Sequence, residues 1–287
     1  MALKVADIFI SLKDREFRVL ATIEQGMRNH EYVPIKLICA LSGYAEPHVT
    51  KILTNIHRQK LIIKGKPDEY VLLKGGYDAL ALRALVKRDI LDAIGDKIGV
   101  GKESDVYDGI ALGDRHVAIK FHRLGRTSFQ QTRRLRGYAG RRLHMSSFYE
   151  ARLAAEREHH ALKTLHMEGI SVPEPIGQNR HVIVMDFLEG EVLQTLKDIP
   201  APAEIFTDVM EDYCRSILEG GLIHGDFSEY NILMSGERPV IIDVGQSVDV
   251  KHPNANVFLK RDIANIVRFF KSDRDVSEIE KWVRGRG

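Results

Sequence analysis

The chain has 287 residues, of which 44% are hydrophobic and 29% charged, and its formal net charge is +2. That length accommodates one large domain or two smaller ones, with enough apolar residues for real cores. The apolar runs are too short to cross a bilayer and Met1 begins no secretory signal, so a cytoplasmic setting without a membrane is expected. Cys39 and Cys214 lie far apart in apolar periodic stretches and read as buried thiols, with no structural metal assigned.

Asp14 is a candidate cap for a helix carrying Phe17, Leu20, Ile23 and Met27 on one stripe. Pro34 opens a second helix through Leu37 and Leu41, and Gly43 stops it. Glu46 and Pro47 start a third, with Val49, Ile52, Leu53 and Ile56 facing inward. Two extended runs, 61–63 and 70–73, flank the turn-like Lys64-Gly65-Lys66-Pro67-Asp68. Three helices and a two-stranded ribbon predict a winged helix-turn-helix over residues 1–76. The outer face of its third helix offers His48, Thr50, Lys51, Asn55, His57 and Arg58, side chains suited to phosphate and base-edge contacts. A winged helix used only for protein contacts is the competing reading. Gly75 and Gly76 break the pattern, and a helix over 77–87 lies in a linker of 77–90.

From Ile90 the pattern changes to strands with glycine turns. Gly99-Val100-Gly101-Lys102-Glu103-Ser104-Asp105-Val106 follows G-x-G-x-x-G-x-V with Ser104 in the place of the third glycine. Such a loop lets backbone amides approach phosphates. Val117-Ala118-Ile119-Lys120 then matches the strand whose lysine holds the α- and β-phosphates of a nucleotide. A helix over 149–167 follows, with Leu153, His160, Leu162 and Leu165 as inward candidates. Glu156 and Glu158 are both candidates to pair with Lys120, and Glu158 is preferred because it precedes the apolar Ala161-Leu162 half turn. The run from His181 to Leu188 reads as a core strand entering a hinge. Met185 would border an adenine pocket, and the backbone of Asp186 and Leu188 would supply its hydrogen bonds.

Between Phe121 and Tyr149 there is no acidic residue, while Arg123, Arg126, Arg133, Arg134, Arg136, Arg141 and Arg142 crowd the same stretch. Such a block reads equally as a solvated loop and as the footprint of an RNA partner. On the second reading Arg126, Arg133, Arg134, Arg136, Arg141 and Arg142 join Lys51 and Arg58 as RNA-contact candidates.

The densest chemistry lies at His224-Gly225-Asp226-Phe227-Ser228-Glu229-Tyr230-Asn231, followed by Val240-Ile241-Ile242-Asp243-Val244-Gly245. Kinase catalytic loops read H-R-D-x-x-x-x-N and are followed by a strand ending in Asp-x-Gly. Asp226 would accept or orient the proton of an attacking hydroxyl or water, and Asn231 and Asp243 are oxygen ligands suited to magnesium. A turn merely rich in Asp and Asn is the bland alternative, and the full spacing argues against it.

Taken together these motifs resemble the RIO family of atypical protein kinases, in particular its second, winged-helix type at archaeal size. The resemblance covers nearly the whole chain, and Leu124-Gly125-Arg126-Thr127-Ser128-Phe129 is similar to the start of that family's flexible loop. It implies an α+β protein with a minimal bilobal kinase-like domain over 91–287: an N-lobe of 91–184, a hinge of 185–190 and a C-lobe of 191–287. It further implies ATP with Mg2+, or Mn2+ in its place, and action in small ribosomal subunit maturation. The implied partners are the precursor of that subunit, its rRNA and ribosomal proteins; no stable oligomer is implied. Carried over, Asp226 is the catalytic aspartate, Asn231 a metal ligand, and Asp243 both a metal ligand and the acceptor of a phosphoaspartate. Lys120, paired with Glu158, would hold the phosphates beneath Ser104.

Departures from ordinary kinases are also legible. Gly225 replaces the arginine that senses a phosphorylated activation loop, and no A-P-E segment follows Asp243. Nucleotide hydrolysis or autophosphorylation therefore fits better than peptide phosphorylation. Asp262 is expected either to brace the catalytic loop or to cap a helix that it opens. The competing functions are a small-molecule kinase of the aminoglycoside or choline type, a small Bud-type kinase, and a nucleic-acid-binding regulator with a non-catalytic kinase domain. Too little chain remains for the helical substrate lobe of the first, Bud-type kinases lack the winged helix, and Lys120, Asp226, Asn231 and Asp243 argue against the third.

Overall fold

The computed structural model describes residues 9–123, 146–199 and 201–285. By contacts the chain divides into a unit of residues 1–155 and 177–184 and a unit of 156–176 and 185–287. The division runs through one helix and two strands.

The first unit contains α1 (Asp14–Gly26), β1 (Val33–Pro34), α2 (Ile35–Ser42), α3 (Glu46–Arg58), β2 (Ile62–Lys64) and β3 (Glu69–Leu72), a winged helix. Its core is built by the apolar stripes read from the sequence: Phe17, Leu20 and Ile23 of α1 meet Val49, Ile52, Leu53 and Ile56 of α3. Each such buried aliphatic contributes about 1.5–3 kcal/mol.

Four local expectations are corrected. Lys13, not Asp14, caps α1: its backbone is extended, and its N–H donates to Glu16 Oε2 at 2.7 Å. Asp14 is the first helical residue instead, where its charge still favours the positive end of the helix dipole. The ribbon has a third strand, because Val33 and Pro34 pair with Tyr70 and Glu69. Two residues are too few for an alternating pattern to announce a strand. The next helix, α4 (Lys74–Val86), contains Gly75 and Gly76 rather than starting after them. A Cβ on Gly76 would lie 2.5 Å from the Leu61 carbonyl oxygen, so glycine is what lets α4 approach that backbone. Asn55, expected on the outer face of α3, is half-buried and donates to the buried carboxylate of Glu16. His48, Thr50, Lys51, His57 and Arg58 are exposed as expected.

A five-stranded sheet follows, made of β4 (Ala93–Val100), β5 (Ser104–Ala111), β6 (Arg115–His122), β7 (Pro175–Asn179) and β8 (Val182–Asp186) in the order β4-β5-β6-β8-β7. The intervening helix α5 (Ser146–Met167) buries Ala151, Ala155, Glu158, Leu162 and Leu165. That stripe recurs every three to four residues, so His160 falls on the opposite side and is exposed, and Leu153 is half-buried.

The second unit packs the later part of α5 with α6 (Pro202–Leu218), α7 (Ala255–Phe270) and α8 (Val276–Gly285). It also holds the short strands β9 (Glu191–Val192), β10 (Leu222–Ile223), β11 (Ile232–Ser235), β12 (Arg238–Ile241) and β13 (Val248–Asp249). These form a sheet in the order β12-β11-β9 and a β10-β13 ribbon. At its centre the rings of Tyr213 and Phe227 stack at 4.4 Å with 9° between planes.

Candidate active site

In the first unit the glycine motif forms the turn between β4 and β5. The Gly101 N–H donates to Ser104 O at 2.8 Å, and Gly99 sits opposite Val106. Lys102 is exposed at the tip, and Ser104 is half-buried. Lys120 faces Val106 across the β5–β6 ladder, so one antiparallel pair places the lysine beside the strand that leaves the turn. It is 5% exposed, and an ammonium so buried is retained only with polar or charged company.

In the second unit β8 ends at Met185 and Asp186, with Met185, Asp186 and Leu188 all half-buried. The Asp186 N–H donates to Glu174 O at 3.0 Å.

The catalytic string is held from beneath. Asp262 is wholly buried and accepts three hydrogen bonds: from Gly225 N at 2.7 Å, Phe227 N at 3.1 Å and the Tyr213 hydroxyl at 2.8 Å. Asn265 Nδ2 donates to Phe227 O at 3.0 Å, and Arg261 donates to Gly225 O. Asp262 stands in the middle of α7 rather than opening a helix, so the capping alternative is excluded and the brace is what the structure contains. Residues 261, 262 and 265 share one side of that helix within a turn. Burial pushes the Asp262 carboxyl up, and the three hydrogen bonds oppose this without cancelling it. Burial and then the Asp262 charge push the Tyr213 hydroxyl well above its usual range, which keeps it a donor.

Above this brace Asp226 is exposed, and the Asn231 amide nitrogen donates to Asp226 O at 2.8 Å. That bond commits the nitrogen and leaves Oδ1 as the amide's ligating atom. Ile242 N donates to Asn231 O at 2.9 Å, tying the residue before Asp243 to the same loop. Asp243 is exposed and left-handed, at φ 56° and ψ 53°. A Cβ on Gly245 would lie 3.1 Å from Glu158 Oε2 and 3.8 Å from Asp243 Oδ1. Glu158 is 1% exposed and Glu156 half-buried, so of the two it is Glu158 that lies beside the Asp-x-Gly turn. The hard oxygens of Asn231 and Asp243, with Asp226 nearby, suit a small divalent cation such as magnesium. Gly225 has φ 75°, and a Cβ there would lie 2.8 Å from Gln246 O. An arginine at this position would be strained whatever its partner.

Lys51 and Arg58 are exposed on α3. Arg126, Arg133, Arg134, Arg136, Arg141 and Arg142 lie outside the described residues. Arg123, counted in the same basic block, is buried against Asp78 and Asp105 and is no part of a solvated face. Tyr213, Arg261 and Asn265 belong to no motif that marks them in the sequence. Only their spacing to the catalytic string through the fold reveals them.

A family model described as the RIO domain matches residues 105–281, and one described as Rio2, N-terminal, matches residues 9–88. The chain belongs to the Rio2 branch of the RIO family. It is 41% identical over 261 residues to the RIO-type serine/threonine-protein kinase Rio2 of Methanocaldococcus jannaschii, covering 89% of this chain and 96% of that one. Against the serine/threonine-protein kinase RIO2 of Caenorhabditis elegans it is 38% identical over 275 residues, covering 94% of this chain and 52% of that one. The chain thus spans about half the length of that relative and of the one from Dictyostelium discoideum. Its fold is similar to a crystal structure of the Rio2 kinase–ADP/Mg2+–phosphoaspartate complex from Chaetomium thermophilum, with TM-score 0.82 and 35% identity. That match covers 95% of this chain and 87% of the other.

Proposed function

We propose that this protein is an ATP- and magnesium-dependent atypical kinase with ATPase activity that acts in small ribosomal subunit maturation. The observation that carries the reading is the clamped catalytic string: buried Asp262 fixes the loop that presents Asp226 to solvent, and the Ile242 N–H bond to Asn231 O ties the segment of exposed Asp243 to the same loop. Mobile carboxylates in a loose turn would lack that preorganisation. In this reading the amides of the Gly99–Ser104 turn and Lys120 hold nucleotide phosphates, and Met185, the Asp186 carbonyl and Leu188 border the purine. Asn231 and Asp243 would hold magnesium, whose charge offsets that developing on the phosphoryl oxygens. Asp226 takes the proton of an attacking water or hydroxyl.

Asp243 is also the proposed phosphoacceptor. Its carboxylate oxygen attacks the γ-phosphorus, the bond to the bridging oxygen breaks, and ADP leaves; water then hydrolyses the acyl phosphate to inorganic phosphate. The related complex that carries a phosphoaspartate supports this assignment. Phosphate release from ATP is expected to fall by about 10²-fold or more in both Asp243→Asn and Lys120→Ala. Full turnover in both purified variants would remove the kinase reading.

The proposed domains are a winged helix over 1–76, a linker over 77–90 and the kinase-like domain over 91–287. The partners we infer are precursor small subunits and their rRNA, met in the cytoplasm, with Lys51, Arg58 and the arginines of 126–142 as contacts. Affinity capture with and without a non-hydrolysable ATP analogue tests this; capture of no small-subunit rRNA in either state refutes it.

A further inference from the structure

Five stretches of the first unit converge on a buried polar cluster that the nucleotide reading does not use. Arg123, at the end of β6 and 7% exposed, donates through Nη1 and Nη2 to the two oxygens of Asp78 at 2.6 and 2.8 Å. Its Nε donates to Asp105 Oδ2 at 2.9 Å, and the other oxygen of Asp105 lies 3.2 Å from Lys97 Nζ. Asp78 Oδ1 is also 2.8 Å from His181 Nε2, whose ring stacks on Tyr77 at 4.7 Å. Finally, the backbone N–H of Arg123 donates to Glu103 O at 2.6 Å.

The anchors fall on either side of the glycine turn. Glu103 lies within it, and Asp105 immediately follows Ser104 and pairs with Val100 across the hairpin. Asp105 is thus gripped from β4 by Lys97 and from β6 by Arg123. Asp78, by contrast, belongs to α4, the helix that continues from the winged helix. Two carboxylates and two cations balance in charge, yet burying them is rarely the most stabilising choice, and apolar packing would serve stability as well. What a guanidinium fork adds is geometry: Nε, Nη1 and Nη2 meet Asp105 and Asp78 together only when α4 and β5 hold one arrangement. Burial alone would lower the affinity of Arg123 for its proton, but Asp78 and Asp105 outweigh it and raise it above its ordinary value. Burial likewise pushes the Asp78 carboxyl up, and the bond from His181 and the Arg123 charge hold it below the usual range. Asp78 and Arg123 therefore stay ionised at neutral pH.

We propose that Arg123 is a positioning residue for the phosphate-binding turn, and that its bond to Asp78 makes the shape of that turn depend on helix α4. The proposal rests on the turn being a nucleotide-phosphate site. It is tested by titrating MgADP and, separately, adenosine into the full chain and its Arg123→Lys, Asp78→Asn and Lys97→Gln variants. Arg123→Lys keeps the charge and loses the fork. Lys97→Gln removes a half-exposed leg of the cluster and keeps the test decisive where an interior variant fails to fold. MgADP affinity is expected to fall about tenfold in Arg123→Lys and Asp78→Asn and about threefold in Lys97→Gln, with adenosine affinity unchanged. Loss that is equal for MgADP and adenosine, or unchanged MgADP affinity in the folded variants, overturns the proposal. Wild-type protein that binds neither ligand overturns the nucleotide reading and this proposal with it, whereas wild-type binding matched by every variant overturns the proposal alone.

Discussion

Replacing Asp262 by asparagine tests how the catalytic string is held. The carboxylate accepts Gly225 N–H and the Tyr213 hydroxyl on Oδ2, and Phe227 N–H on Oδ1. Asparagine offers one acceptor oxygen. If that oxygen replaces Oδ2, the new NH2 confronts the Phe227 N–H; if it replaces Oδ1, two donors lose their acceptor. At least one buried donor is orphaned either way, at a cost of about 1–3 kcal/mol. Tyr213→Phe removes a single hydroxyl, keeps the ring stacked on Phe227, and should cost about 1–2 kcal/mol. Because Phe227 N–H follows Asp226 directly, Asp262→Asn should also lower the rate of ATP turnover at saturation more than it raises KM. Urea unfolding of both single variants and the double variant, with turnover measured beside it, checks the scheme. Asp262→Asn with unchanged unfolding midpoint and unchanged turnover would refute the brace. Strictly additive effects would refute the shared acceptor, since residues on one carboxylate should couple.

Gly225→Ala places a side chain at φ 75° and 2.8 Å from Gln246 O, so it should cost about 1–3 kcal/mol in the same unfolding assay, and Gly225→Arg no less. Asn55→Ala should lower stability by about 1–2 kcal/mol, through the lost bond to Glu16, without changing RNA affinity. Lys51→Ala should do the reverse, reducing the salt slope of RNA binding by about one with little change in stability. Acid should loosen the first unit. Burial lowers the pKa of His181, so the folded state disfavours its protonation; stability from its neutral form is full above the ordinary histidine value of 6.5 and is lost as pH falls below it. Asp78, held below its ordinary 3.8, adds a second loss only at lower pH. Hydrogen exchange of α4 and β8 amides, compared at about pH 7 and about pH 5.5, should reveal the first loss; identical protection at the two values counts against it.

Local elements and the chemistry of the motif strings are legible in the order of residues alone. Helical stripes such as Val49, Ile52, Leu53 and Ile56 are dictated by the period of the helix, and they appear as read. The turn residues and the Asp226-to-Asn231 spacing are local too, because one short stretch of backbone carries them. Very short pairings escaped, as with Val33 and Pro34, since two residues contain no period. Tertiary structure decided which polar residues look inward. Asn55 and Arg123 carry the composition of solvated or nucleic-acid-facing side chains, yet each is consumed by a carboxylate from another element. It also decided how the catalytic string is fixed: Asp262, Arg261 and Asn265 lie more than thirty residues beyond the backbone groups they hold. A hydrogen bond across that separation leaves no mark on local periodicity. Only the folding of α7 beneath the loop creates it.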